Sequence, residues 1–345
     1  MLFKHINRLI PILVLMVGVS QALASTNAVI LMYHHIADDT PPSTSVTLEQ
    51  FDAHLDYLHQ QNFQVWPLSK LLTHWQTQQP IPEKTVVLTA DDAYISLYTH
   101  AFARLARYGW GMTVFVNAEP IDKGYRNFMT WTQMRELQQY GFEFANHTYS
   151  HSALFPQLNE TEADFIARVK HEVEQGQQRL QHELGKHTNR TPALFAYPYG
   201  EYNESAANLI QQLGYTAVAQ VSGAVNAHSD RRALNRFPMA QAYASLADFQ
   251  RKVHTQALPL RAHTPFEPII SQNPPILRLT FEHPISGLNC FTSQGEPLSL
   301  HWMSDTLLEM QAKHPLKPPR DRYACTARRA DGNWYWWGHP WIIRE

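Results

Sequence analysis

The 345-residue sequence predicts an α/β protein, a domain built on a parallel sheet or distorted (β/α) barrel followed by a small C-terminal β-domain. Two observations carry this. Over residues 28–258, short apolar β-like runs alternate with amphipathic helical stretches, the pattern of repeated βα units. After residue 258 the texture changes: Pro259, Pro265, Pro268, Pro274 and Pro275 crowd together, and short alternating segments follow. A composition with 44% hydrophobic and 17% charged residues supports a packed core and excludes disordered and coiled-coil classes.

Residues 1–24 read as an export signal. Lys4 and Arg8 precede an apolar run at residues 9–19, and Ala22-Leu23-Ala24 has the small-x-small form that signal peptidase accepts. The run contains Pro11 and is too short to stay as a membrane-spanning helix. The mature chain is therefore expected to start near Ser25 and to be periplasmic or secreted, with no membrane anchor. Losing Lys4 and Arg8 with no acid takes the net charge from -2 to -4. Without a basic surplus, nucleic acid is excluded as a partner. No feature of the sequence sets an oligomeric state.

Within the domain expected at residues 25–258, the strands are Val29-Ile30-Leu31-Met32-Tyr33, Thr85-Val86-Val87-Leu88-Thr89, Met112-Thr113-Val114-Phe115-Val116, Phe142-Glu143-Phe144-Ala145, Ala193-Leu194-Phe195-Ala196 and Tyr215-Thr216-Ala217-Val218. Between them, Thr47 and Gln50 form a capping box for a helix carrying Phe51, Leu55 and Leu58. Residues 131–140 and 161–184 also have helical periodicity, and Ser245 caps a last helix through Phe249 and Val253. Residues 259–275 suggest an extended proline-rich linker, and residues 276–345 a small β-domain that folds on its own. It holds the only two cysteines, Cys290 and Cys325, which in an exported protein are expected to pair. The closed loop would stabilise the fold by about 3–4 kcal/mol in the chain-entropy model. Trp334, Tyr335, Trp336 and Trp337 have two readings, a platform for sugar rings or the core of this small domain.

Four groups of chemically capable residues follow strands, so a parallel sheet would collect them at one edge, where β/α domains keep their active sites. Asp91 and Asp92 follow the second strand. Adjacent buried acids repel unless a cation neutralises one, although alone the pair also suits a turn and helix cap. His147 and His151 follow the fourth strand, four residues apart, a spacing at which two imidazoles converge on one metal. Together the two pairs supply the two-nitrogen, one-oxygen set of a catalytic zinc with an open position. Tyr197-Pro198-Tyr199-Gly200 ends the fifth strand in a turn. Tyr33-His34-His35 ends the first, placing an imidazole suited to general acid work.

These residues resemble the polysaccharide deacetylases of the NodB-homology type, carbohydrate esterase family 4. Thr89-Ala90-Asp91-Asp92-Ala93 is similar to the family's Thr-Phe-Asp-Asp-Gly motif, and His147-Thr148-Tyr149-Ser150-His151 to its His-Ser/Thr-x-x-His motif. Tyr197-Pro198-Tyr199-Gly200 is similar to its third motif. Leu31-Met32-Tyr33-His34-His35-Ile36, with the Phe195-Ala196-Tyr197-Pro198-Tyr199-Gly200-Glu201 form of the third motif, resembles the branch acting on poly-β-1,6-N-acetylglucosamine in biofilm matrix, whose motif order is circularly permuted. The resemblance covers residues 28–258. It implies a distorted (β/α) barrel and a divalent metal, most commonly zinc, on Asp92, His147 and His151. It further implies Asp91 as general base, His34 as general acid and the backbone N–H of Tyr199 as an oxyanion donor. The implied substrate is an N-acetylated amino-sugar polymer, hydrolysed to acetate and free glucosamine units.

Three positions depart from the family. Ala90 replaces Phe, Ala93 replaces a Gly whose backbone freedom a Cβ curtails, and Ala196 stands where many members carry an Arg that orients the base. The altered motif leaves two alternatives open: a non-catalytic carbohydrate-binding or export-assisting protein on the same fold, and a deacetylase of peptidoglycan components.

Overall fold

The computed structural model describes residues 24–188 and 192–344. The expected export signal lies almost wholly outside them. The six strands read from sequence all form, each within one residue of its expected start and end. They are β1 (Val29–Tyr33), β3 (Thr85–Ala90), β4 (Thr113–Val116), β5 (Glu143–Asn146), β6 (Ala193–Ala196) and β7 (Tyr215–Val218). Two short strands join them, β2 (Gln64–Val65) and β8 (Phe237–Pro238). The order is β7-β6-β5-β4-β3-β1-β8, and β2 pairs with the first half of β3 below β4. Every ladder is parallel, and the sheet curls into a half-barrel.

Burial on both faces explains why these strands read as continuous apolar runs rather than alternating ones. Leu31, Tyr33, Val86, Leu88 and Val114 feed one core, while their neighbours Ile30, Val87 and Phe115 feed another. Helix α1 (Leu48–Gln60) starts at the Thr47/Gln50 capping box and buries Phe51, Leu55 and Leu58. Helix α2 (Glu162–Leu184) is capped by Thr161 and packs Phe165, Val169 and Val173 beside β6 and β7. Helix α3 (Leu246–Val253) is capped by Ser245.

The C-terminal residues form two antiparallel sheets. One is β9 (Leu260–Thr264), β10 (Ile276–Phe281), β12 (Ser299–Ser304) and β13 (Leu307–Gln311), in the order β9-β10-β13-β12. The other is β11 (Asn289–Phe291), β14 (Arg320–Arg328) and β15 (Trp334–Ile342). Leu277, Leu279, Leu308 and Met310 of the first meet Tyr323, Cys325 and Trp341 of the second in one core. Cys290 and Cys325 sit directly opposite on β11 and β14 and are joined by a disulfide.

Two expectations are corrected here. Residues 259–275 are not simply a linker, because β9 lies within them and pairs with β10. Prolines flank this edge strand rather than interrupt it, and an edge strand tolerates them there. Nor does the C-terminal part stand apart from the barrel. Ala224 N donates to Trp336 O at 3.1 Å, Trp336 N to Gln256 O at 3.0 Å, and Asn235 Nδ2 to Gly338 O at 2.8 Å. The aromatic cluster divides by strand alternation. Trp336 packs on the barrel core and edge-on to Phe237 at 5.3 Å, whereas Tyr335 and Trp337 pack on the small-domain core. Gly338 permits the contact, since a Cβ there would lie 2.9 Å from Ser222 O.

Candidate metal centre and catalytic cleft

Because the strands are parallel, the residues that follow β1, β3, β5 and β6 emerge at one edge. Asp91 N donates to Tyr33 O at 3.0 Å, tying the end of β3 to that of β1. The next two residues, Asp92 and Ala93, take left-handed backbone conformations with φ of 70° and 57°. Ala93 thus adopts the geometry for which a glycine is suited, at a cost of about 1 kcal/mol, and its carbonyl is held by Met129 N at 2.9 Å. The turn swings the Asp92 side chain toward the residues after β5.

His147 follows β5 directly and is fully buried. Its Nδ1–H donates to Ala196 O, at the end of β6, at 2.7 Å, which leaves the Nε2 lone pair free. The loop continues through Thr148 (φ 67°) to His151 (φ 61°), and α2 clamps it. Tyr149 N donates to Glu172 O, while Ser150 N and Oγ donate to the Glu172 carboxylate at 2.9 and 2.8 Å. Gly176 gives the helix room, because a Cβ would lie 2.9 Å from the Thr148 carbonyl carbon and oxygen.

The result is a cluster. One ligand atom each from Asp92, His147 and His151 lie within 4.8 Å of one another, with His151 Nε2 at 3.2 Å and His147 Nε2 at 3.6 Å from Asp92 Oδ1. Asp92 Oδ1 and His147 Nε2 are buried without an aligned hydrogen-bond partner, and buried polar atoms in that state call for one. A divalent cation fits them, since two imidazole nitrogens and a carboxylate oxygen are its ordinary donors. Burial pushes the His147 pKa down to about 3 and lowers that of His151 too, so both rings are neutral at pH 7, as ligands must be. Burial, with the Asp91 charge adding to it, pushes Asp92 up to about 6, a second sign that positive charge is wanted here.

Asp91 behaves oppositely. Burial alone would raise its pKa, but Arg236 reverses this and holds the carboxyl well below the usual range. The pair is bidentate, Nη1 to Oδ1 at 2.7 Å and Nη2 to Oδ2 at 2.8 Å, with both side chains fully buried. Arg236 is itself fixed by Nη1 to Thr89 Oγ1 at 3.2 Å and Nε to Ala219 O at 3.0 Å. Sequence reading missed this residue. Ala196 supplies no cation at the end of β6, and Arg236 provides one from just before β8. The signal was a lone arginine in Leu234-Asn235-Arg236-Phe237-Pro238, an apolar strand-like run where a buried cation demands an acid.

A cleft of about 690 Å³ opens over the cluster. His34, Asp92, His151 and Tyr199 line it together, with Tyr94 and Arg320. Tyr94 lines the cleft with Asp92 and stacks on His35 at 3.7 Å. His35 therefore serves a wall of the site, while His34 faces the cleft. Tyr199 follows β6 with φ 58° and sets its ring edge-on to His151 at 4.5 Å.

Comparison with known proteins bears on the same residues. Residues 78–218 match the family described as polysaccharide deacetylase. Residues 78–218 thus correspond to a polysaccharide deacetylase (NodB) domain. It is 29% identical to the Bacillus subtilis protein YxkH over 212 residues, covering 60% of this chain and 69% of that protein. It is 30% identical to the Escherichia coli (strain K12) poly-β-1,6-N-acetyl-D-glucosamine N-deacetylase over 227 residues, 54% of this chain and only 33% of the E. coli protein. Among solved structures, the Streptococcus pyogenes deacetylase PplD, in complex with acetate, matches with TM-score 0.59 at 24% identity over 67% of this chain and 99% of that one. The family match contains Asp91, Asp92, His147, His151 and Tyr199, whereas His34 and Arg236 lie outside it. No helix among the described residues is long and apolar enough to cross a membrane.

Proposed function

We propose that this deacetylase domain is a metal-dependent hydrolase that removes N-acetyl groups from an amino-sugar polysaccharide of the poly-N-acetylglucosamine kind. The observation that carries the reading is the Asp92, His147 and His151 cluster, its first two members buried and two of its ligand atoms unpartnered, beneath an open cleft. The E. coli relative named for poly-β-1,6-N-acetyl-D-glucosamine supports the substrate class. A divalent metal, zinc by donor type, would supply Lewis acidity and a nucleophilic water at neutral pH.

The chain's own residues do the rest. Asp91, kept ionised and aimed by Arg236, takes the proton of the attacking water as general base. The backbone N–H of Tyr199 stabilises the developing oxyanion. His34, across the cleft, protonates the departing sugar amine. The protein is exported by the segment at residues 1–24, and the Cys290–Cys325 disulfide suits an oxidising compartment. Acetate release from poly-N-acetylglucosamine oligomers, with and without chelator and re-added zinc, tests the reading. His34→Ala separates acid from ligand: it should retain metal but lose about 10²–10⁴-fold in turnover. Chelator-resistant release, or loss of metal in H34A, would overturn the assignments.

A further inference from the structure

The C-terminal sheet reaches the catalytic cleft. Strand β14 opens at Arg320, opposite Ile342 of β15, and β15 is hydrogen-bonded to the barrel. Arg320 is thereby set on the cleft wall beside Asp92, His151 and Tyr199. Its Nη1 donates to the Tyr199 carbonyl at 3.1 Å, and its Nε lies 3.4 Å from Glu201 Oε1.

Tyr199 needs such a partner. It has φ 58° and ψ 4°, and Gly200 follows at φ 70°, so two successive left-handed residues shape the turn. A non-glycine residue stays there only where its surroundings over-determine it. Tyr199 is 48% exposed, and its ring contributes one edge contact to His151. Flanking bonds, Gly200 N to Tyr197 O at 2.9 Å and Glu201 N to Pro198 O at 3.1 Å, close the turn without touching the Tyr199 carbonyl. Arg320 holds that carbonyl directly, and Glu201 keeps the guanidinium in place.

We propose that Arg320, carried by the C-terminal sheet, is a positioning residue of the deacetylase site that fixes the Tyr199 turn and so aims its backbone N–H into the cleft. This rests on the oxyanion role given to Tyr199 above. Half-exposed contacts of this kind contribute little stability. Their effect is geometric: released from Arg320, residue 199 relaxes toward negative φ, and rotation about its N–Cα bond re-aims the donor. Misplacing a catalytic group by about 1 Å costs about 10²-fold in rate.

The experiment compares full-length wild type, Arg320→Ala and Arg320→Lys by steady-state acetate release from a short acetylated oligomer, metal content, thermal midpoint and hydrogen exchange of the 199–201 amides. R320A should lower kcat by about 10- to 100-fold, with KM, metal content and midpoint unchanged and exchange at 199–201 accelerated. R320K, which keeps a donor on a long stem, should recover most of both readouts. A loss confined to KM, an R320A kcat within about two-fold of wild type, unaltered exchange, or R320K as poor as R320A would each overturn the proposal. If R320A loses its fold, Arg320→Met carries the same readouts. Wild type that releases no acetate refutes the functional reading instead, and the exchange data still judge Arg320.

Discussion

Replacing Arg236 by Met removes the cation from a fully buried bidentate ion pair while keeping much of its apolar bulk. Asp91 is then a carboxylate with no exposed surface and no guanidinium within reach. Breaking a buried pair from one side costs about 3–5 kcal/mol, and the Ala219 carbonyl and Thr89 hydroxyl lose a partner as well. R236M should therefore unfold at least about 3 kcal/mol more easily than wild type, measured by urea unfolding of metal-free protein with an unchanged m value. Asp91→Ala should be destabilising for the converse reason, a buried guanidinium left without its acid. The double variant should cost less than the two singles together by about 2 kcal/mol or more, because neither charge is then stranded. R236M should also lower turnover, since Asp91 loses its orientation. A penalty below about 1 kcal/mol, or strictly additive single variants, would refute the view that these two groups depend on each other.

Three further outcomes follow from the packing. Gly176→Ala places a Cβ 2.9 Å from the Thr148 backbone, so it should displace the His147–His151 loop and weaken zinc affinity about 10- to 100-fold, read by competition with a chelating dye. Trp336→Ala empties the seam between the C-terminal strands and the barrel core; its cost should reach about 3 kcal/mol, and a chain ending at residue 258 should fail to give a cooperative thermal transition. Burial lowers the Lys252 pKa from 10.5 to about 8, where its ammonium donates to Pro238 O at 3.2 Å and Tyr243 O at 2.5 Å. Between pH 8 and 10 the unfolded chain binds this proton more tightly than the folded one, so wild type should gain about 2–3 kcal/mol relative to Lys252→Met as pH rises through that window. A flat difference in paired urea titrations would show that this lysine is not desolvated.

The sheet was legible because each parallel strand is buried on both faces and so reads as an uninterrupted apolar run. The residues of the metal cluster were legible because they stand directly after those runs, and parallel strands bring their C-terminal ends together. Arg236 was not, since its partner lies 145 residues earlier and is chosen by strand order, β8 beside β1 beside β3. Periodicity within a segment carries no information about that order. The C-terminal part misled for a different reason. Prolines punctuate loops and edge strands alike, so β9 was hidden among them. The aromatic run 334–337 reads as a sugar platform or as the small domain's core, but one face meets the barrel, and only tertiary structure names that neighbour.

The central claim is that Asp92, His147 and His151 hold a metal on which deacetylation depends. Metal content and acetate release measured together on wild type, His147→Ala and His151→Ala test it most directly. The account predicts about one divalent ion per chain in wild type, and a joint loss of metal and activity in both variants while the thermal transition persists. Full metal occupancy in both variants, or undiminished acetate release from either after its metal is removed, would contradict it.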